Sequence, residues 1–139
     1  LLKNLQAQNN MGIVLITHDL GVVARMADQV AVMYAGEIVE KGSVDEIFYQ
    51  SAHPYTLGLR SAMPTNTREI ISRLEPIQGA PPDLYSPPTG CGYFARCPYA
   101  MEACAKEIPE TFEMSNTHYS KCWLQHDDCS QVVKEIYKP

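Results

Sequence analysis

Ile13-Val14-Leu15-Ile16-Thr17-His18-Asp19 is the stretch that decides the fold of this chain. Four consecutive aliphatics after Gly12 predict a strand buried on both faces, as in a parallel sheet with helices on each side. Asp19 is placed to cap a following helix over Leu20 to Ala27, whose apolar face is Leu20, Val23, Ala24 and Ala27. The strand delivers His18 to its C-terminal end, the edge at which open α/β sheets bind ligands. A histidine there can donate a hydrogen bond to a phosphate oxygen and titrates near physiological pH. Position alone does not separate that role from that of an ordinary surface histidine.

Upstream, Leu1, Leu2 and Leu5 give Leu1 to Gln8 a helical period. No capping residue precedes it, so the expectation is a chain cut inside a helix. Downstream, Val30 to Tyr34 and Glu37 to Lys41 read as two strands joined in a hairpin at Ala35-Gly36, with Gly42 expected to break the second. Ser43-Val44-Asp45-Glu46 is a capping box that predicts a short helix to about Tyr49. Pro54 suits the first position of a helix that ends before Pro64. Tyr55 and Leu59 would share its packing face, and His53 reads as structural.

Beyond Met63 the composition changes. Eight prolines fall between Pro64 and Pro109, against one in residues 1–63, and proline removes a donor and fixes φ. Long regular elements are therefore not expected there, and a segment boundary is placed at Met63-Pro64. Short elements are expected at Tyr99 to Lys106 (helix), Tyr119 to Leu124 (strand) and around Val132, Val133 and Ile136 (an amphipathic turn or two).

With 45% hydrophobic and 19% charged residues, the 139-residue chain can build a core. A net charge of −5 argues against a nucleic-acid partner. No apolar run approaches the roughly 20 residues of a membrane span, and no secretory signal opens the sequence. A cytosolic chain with at most a peripheral membrane role is the expectation.

Of five cysteines, Cys91, Cys97, Cys104 and Cys122 form a C-x5-C-x6-C-x17-C pattern, and Cys129 stands apart. Four thiolates can surround a zinc ion or an iron–sulfur cluster. The spacing does not fit zinc fingers, yet zinc, a cluster and unligated thiols all stay open on the residues alone. Gly90 and Gly92 permit close backbone approach, Pro98 stiffens the chain beside Cys97, and Tyr93, Phe94, Tyr99 and Trp123 could keep water from the sulfurs. His118 and His126 read as surface residues, and Asp45/Glu46 and Asp127/Asp128 as helix N-terminal charges.

Ile16-Thr17-His18-Asp19-Leu20, followed by Ala27 to Gly42 with its Met33-Tyr34-Ala35-Gly36 turn, resembles the end of an ABC transporter ATPase domain, in its peptide-importer branch. The likeness runs without a gap from about Leu1 to Phe48. His53-Pro54-Tyr55-Thr56 and Ile77-Gln78-Gly79-Ala80-Pro81-Pro82 resemble the C-terminal extension of oligopeptide and dipeptide importer ATPases. The resemblance implies an α+β fragment: residues 1–63 as the C-terminal piece of an α/β ABC ATPase domain, residues 64–139 as a small, proline-rich, cysteine-containing extension. It implies that His18 is the switch histidine at the γ-phosphate of ATP, and that Cys91, Cys97, Cys104 and Cys122 hold a 4Fe–4S cluster, or zinc in its absence.

By the same resemblance, the parent is a transport-coupled, magnesium-dependent ATP hydrolase that imports oligopeptides or dipeptides. It would pair with a homologous ATPase subunit and dock on two membrane permease subunits at the cytoplasmic face of the bacterial inner membrane. A substrate-binding protein would be an indirect partner. No G-x-x-x-x-G-K-[ST] phosphate loop lies in the sequence, so this stretch alone is expected to be inactive. With the Ile13 to Ile16 strand uncovered, it is also expected to self-associate as a homo-oligomer. The rival readings are a free-standing metal-binding or iron–sulfur redox module and a metal-free interaction domain.

Overall fold

The alternation of Val30, Val32 and Tyr34 against exposed Gln29, Ala31 and Met33 builds strand β1 (Gln29–Tyr34), which turns its odd face to solvent and its even face to the core. The structure, a computed structural model, describes residues 2–63 and 77–136. Leu1, Pro64, Pro76 and the start of the expected extension lie outside the described residues.

β1 pairs antiparallel with β2 (Glu37–Ser43) through a two-residue turn in which Ala35 (φ 50°) and Gly36 (φ 84°) both take positive φ. That is the combination a hairpin with right-handed twist requires. The register slips between Val32 and Met33, which face Glu40 and Ile38 and leave Val39 as the extra residue. This bulge breaks the alternation, so that both Val39 and Glu40 are buried. β2 then pairs with β4 (Tyr119–Ser120) and β4 with β3 (Phe112–Glu113), giving an antiparallel sheet of order β1-β2-β4-β3.

The helices follow their local signals. α1 spans Leu2–Asn9 and α2 Leu20–Met26, the latter capped by Asp19, whose carboxylate accepts from the Gly21 and Val22 amides. α3 (Val44–Tyr49) carries the full capping box: Ser43 Oγ accepts from the Glu46 amide, and Glu46 accepts from the Ser43 amide. α4 (Pro54–Ser61) starts on proline, and α5 and α6 cover Glu102–Lys106 and Ser130–Ile136. The core is Val32, Tyr34, Val39, Ile47 and Tyr93, with Tyr55, Leu59 and Ile77 packed around it. Tyr34, Tyr55 and Tyr93 meet ring to ring at 4.7–5.4 Å.

Several expectations need correction. Ile13 to Thr17 forms no strand, and Val14 and Ile16 are 92% and 95% exposed. A parallel strand takes all its hydrogen bonds from neighbours, and no described segment runs beside this one. Gly42 does not end β2. It lies inside the strand, where a Cβ would press on the Glu46 and His118 side chains. The helix expected from Tyr99 begins only at Glu102, because Ala100 N–H closes a turn onto Cys97 C=O and Met101 is extended. The strand expected over Tyr119 to Leu124 ends at Ser120, and Trp123–Gln125 winds into a 3-10 turn. Among the described residues no helix is long and apolar enough to cross a membrane.

Candidate functional site

His18 stands where the sequence puts it, at the end of the aliphatic run and one residue before the α2 cap, and it is exposed. Thr17 Oγ1 accepts from the Asp19 amide, which bends the chain at this point. The imidazole therefore sits on a locally ordered corner with its ring open to solvent.

The cysteines come together elsewhere. Cys91, Cys97, Cys104 and Cys122 all line one largely enclosed cavity whose wall includes Tyr93, Phe94, Tyr99 and Trp123, the aromatics expected to exclude water. Local structure places each sulfur. Cys91 follows Gly90, and its amide donates to Cys104 C=O at 2.8 Å. A Cβ at Gly90 would collide with the Cys104–Ala105 backbone, so only glycine allows these two segments to touch. Cys97 ends a 3-10 turn, Phe94–Arg96, and Cys104 sits in α5. Cys122 follows β4 and precedes the Trp123–Gln125 turn.

Burial pushes the Cys122 thiol up to about 12 and the Cys97 thiol up to about 11, and raises Cys91 as well. Cys104 adds to each rise, Cys91 adds to those of Cys97 and Cys122, and Cys97 adds to that of Cys122. Burial of this kind favours the neutral thiol at Cys91, Cys97 and Cys122.

Among the described residues, however, no group of three or more His, Cys, Asp or Glu is gathered closely enough to hold a single metal ion. A zinc ion needs its sulfurs at about 2.3 Å around one point. The absence of such a grouping supports neither metal expectation for Cys91, Cys97, Cys104 and Cys122, zinc or cluster; what the structure shows is that the four border one cavity. Four cysteine thiols on one cavity wall are a donor set of the kind that ligates a thiolate-bound group. Cys129 does not line the cavity, and its Sγ lies 3.9 Å from Met101 Sδ.

A polar hub beneath the cavity was not legible in advance. Glu40, 1% exposed on β2, accepts from the Ala52 amide at 2.6 Å, the His53 amide at 3.0 Å and His118 Nε2 at 2.8 Å. His118, expected on the surface, is 3% exposed, and this is corrected by its buried pairing with Glu40. His126 does remain at the surface. Gln125 Nε2 donates to Ala52 C=O at 2.6 Å, adding a third tie to the same loop. The hub thus fixes the His53-Pro54 corner between the hairpin and the C-terminal turns.

His53 caps α4, its Nδ1 accepting from the Tyr55 amide at 3.0 Å. The structural reading of this residue is correct, but incomplete: its side chain also lines the cysteine cavity. Burial lowers its pKa to about 4, so the ring is neutral. The sequence offered one signal for this, the placing of His53 immediately before a helix-starting proline. Nothing local tied Glu40 to residues 12, 13 and 78 positions away.

Comparison with known proteins gives a consistent result. The family described as "Oligopeptide/dipeptide transporter, C-terminal region" matches residues 39–104. An oligopeptide transport ATP-binding protein, OppD, of Bacillus subtilis is 52% identical over 132 residues, covering 95% of this chain and 37% of the relative. A dipeptide transport ATP-binding protein, DppD, of the same organism is 47% identical, covering 96% of this chain and 39% of the relative. DppD of Lactococcus lactis is 52% identical over 124 residues, with 89% and 35% covered. The chain spans between 35% and 39% of the length of these relatives.

Proposed function

We propose that this chain belongs with the family described as the oligopeptide/dipeptide transporter C-terminal region, whose model matches residues 39–104, and that it is the C-terminal portion of the ATP-binding subunit of a bacterial peptide importer. The observation that carries the reading is the 52% identity to an oligopeptide transport ATP-binding protein, which extends through nearly the whole chain. A free-standing redox module would have no use for an exposed aliphatic segment ending in His18, or for the capped helix and hairpin behind it.

In this proposal the whole subunit hydrolyses ATP with magnesium and spends that energy on importing oligopeptides or dipeptides. It pairs with a homologous ATPase subunit and docks on two permease subunits at the cytoplasmic face of the inner membrane. A substrate-binding protein acts with it indirectly. His18 serves at the γ-phosphate, where an imidazole N–H can donate to the charge that develops in the transition state. This stretch by itself carries no phosphate loop and is inactive. Residues 1–63 act as the end of the ATPase domain and residues 64–139 as the extension.

Cys91, Cys97, Cys104 and Cys122 would hold a 4Fe–4S cluster in the cavity they share. The spacing and the aromatic wall of the cavity that the four cysteines line support that assignment. When bound, the cluster supplies a cationic core that stabilises four thiolates and clips three loop segments together.

The test is His18→Ala in the intact subunit. ATP hydrolysis should fall on the order of 10²-fold, as when one transition-state donor is removed, while ATP affinity changes little. Undiminished turnover would overturn the assignment of His18.

A further inference from the structure

Among the described residues, three buried side-chain polar atoms have no hydrogen-bond partner: His53 Nε2, Thr56 Oγ1 and Ser120 Oγ. Of these residues His53 alone lines the cysteine cavity. It is 1% exposed, so water at the surface does not satisfy it. Its protonation is fixed by its neighbour: Nδ1 accepts from the Tyr55 amide, which leaves the ring proton on Nε2. Nε2–H is therefore a buried donor without an acceptor, a costly state, on a residue that lines the cavity. No cysteine sulfur accepts from it in this arrangement, and an acceptor held in the cavity would satisfy it. A trapped water would need two to four polar partners, and a wall of Pro54, Tyr93, Phe94, Trp123 and Leu124 is poorly suited to provide them.

We infer that His53 donates its Nε2–H hydrogen bond to a sulfur of the cluster assigned to this cavity, and thereby sets the cluster's reduction potential. The inference rests on the cluster reading given above. A donor aimed at a cluster sulfur stabilises the more negative, reduced state and raises the potential. His53 is thus a positioning and tuning residue. Its backbone is held by Glu40 and its ring by the α4 cap, so the N–H is preorganised before the cluster arrives.

Two substitutions separate the two ends of the ring. His53→Asn keeps a good N-cap acceptor for the Tyr55 amide but is too short to present a donor at the Nε2 position. His53→Gln presents an amide donor near that position. In the intact protein, reconstituted anaerobically with iron and sulfide, cluster content is read from iron and sulfide analysis. The potential is read from a redox titration followed by absorbance and paramagnetic resonance. The expected result is near-full cluster content in both variants, a more negative midpoint for His53→Asn and a midpoint close to wild type for His53→Gln. Equal midpoints in wild type and His53→Asn, at equal cluster content, would overturn the inference and leave the cluster reading intact. A wild-type protein that takes up no iron and sulfide would overturn the cluster reading, and the inference with it.

Discussion

Between Leu2 and Asp28 no side chain is buried, whereas the described residues from Val30 onward enclose Val32, Tyr34, Val39, Ile47 and Tyr93 in one core. Both regions are rich in aliphatics, so hydrophobicity does not distinguish them. They differ in where the partners of each element lie. α2 is held by the Asp19 carboxylate two and three residues away, and it forms although none of its side chains is fully buried. The hairpin closes through its own turn, and β4 and the C-terminal turns then fold back onto it. Ile13 to Thr17 has no such local source of hydrogen bonds, and from Val14 to Thr17 its side chains stand in solvent. Local chemistry suffices for caps and turns, and a central strand waits for its neighbours.

The sharpest way to break this contrast is at the cysteines. In the intact protein prepared anaerobically, Cys97→Ser or Cys104→Ser should abolish bound iron and sulfide, whereas Cys129→Ser should leave both unchanged. Cys129 borders no part of the shared cavity and sits against Met101. Equal losses at all five cysteines would mean that the pattern of four is the wrong grouping.

Next in size is the hub that joins the hairpin to the rest. Glu40→Ala removes the acceptor of two backbone amides and of His118 from a site with no access to water. Breaking one side of a buried charge-assisted cluster costs about 3–5 kcal/mol. Urea unfolding of wild type and variant measures it. A loss below about 1 kcal/mol, inside the range of an ordinary surface substitution, would show that the hub does not hold the two parts together.

A smaller effect is expected at Glu46, which links α3 to the 115–118 turn. The Ser115 hydroxyl and then the Ser43 amide hold its carboxylate down at about 2. The folded pKa lies below the ordinary value of 4.5, so this contribution is present above pH 4.5 and is lost as pH falls toward 2. Glu46→Gln should flatten that part of the acid limb of the stability curve. Because the group is reached by solvent, the change is modest. An unchanged acid limb would mean that Glu46 is not held in place by Ser115 and Thr117.

Much of this architecture could be read from the sequence because its signals are local. The Ser43/Glu46 capping box, Pro54 at the start of α4, the Ala35-Gly36 turn and the Asp19 cap each act within a few residues. The convergence of the four cysteines was legible as a pattern, and so was the aromatic wall. What escaped was long-range: the Glu40–His118 pair spans 78 positions, and β4 joins β2 with only two residues in register. Glu46 misled in a different way. Its capping role is complete within the box, which gave no reason to look for a second set of partners at Ser115 and Thr117. The buried strand expected at Ile13 to Thr17 was drawn from an aliphatic pattern typical of strands inside a parallel sheet, and no described strand pairs with that segment.

The smallest expected effect is the one that tests the opening contrast most directly. Ile16 is 95% exposed, and Ile16→Asp should therefore change the unfolding free energy of this chain by less than about 0.5 kcal/mol. In the whole subunit proposed above, the same residue would lie inside a parallel sheet. An unpaired carboxylate there would cost several kcal/mol or be forced to protonate. The two measurements should differ by at least the 1.5–3 kcal/mol typical of burying one aliphatic side chain, before the charge is counted. Association of the isolated chain gives a second readout. Val14, Leu15 and Ile16 form a run of exposed apolar side chains, and if they drive self-association, Ile16→Asp should lower the mass seen by light scattering at high concentration. An isolated chain that loses several kcal/mol on Ile16→Asp would show that residues 13–17 are covered by its own extension in solution, and the contrast between the two regions would then fail.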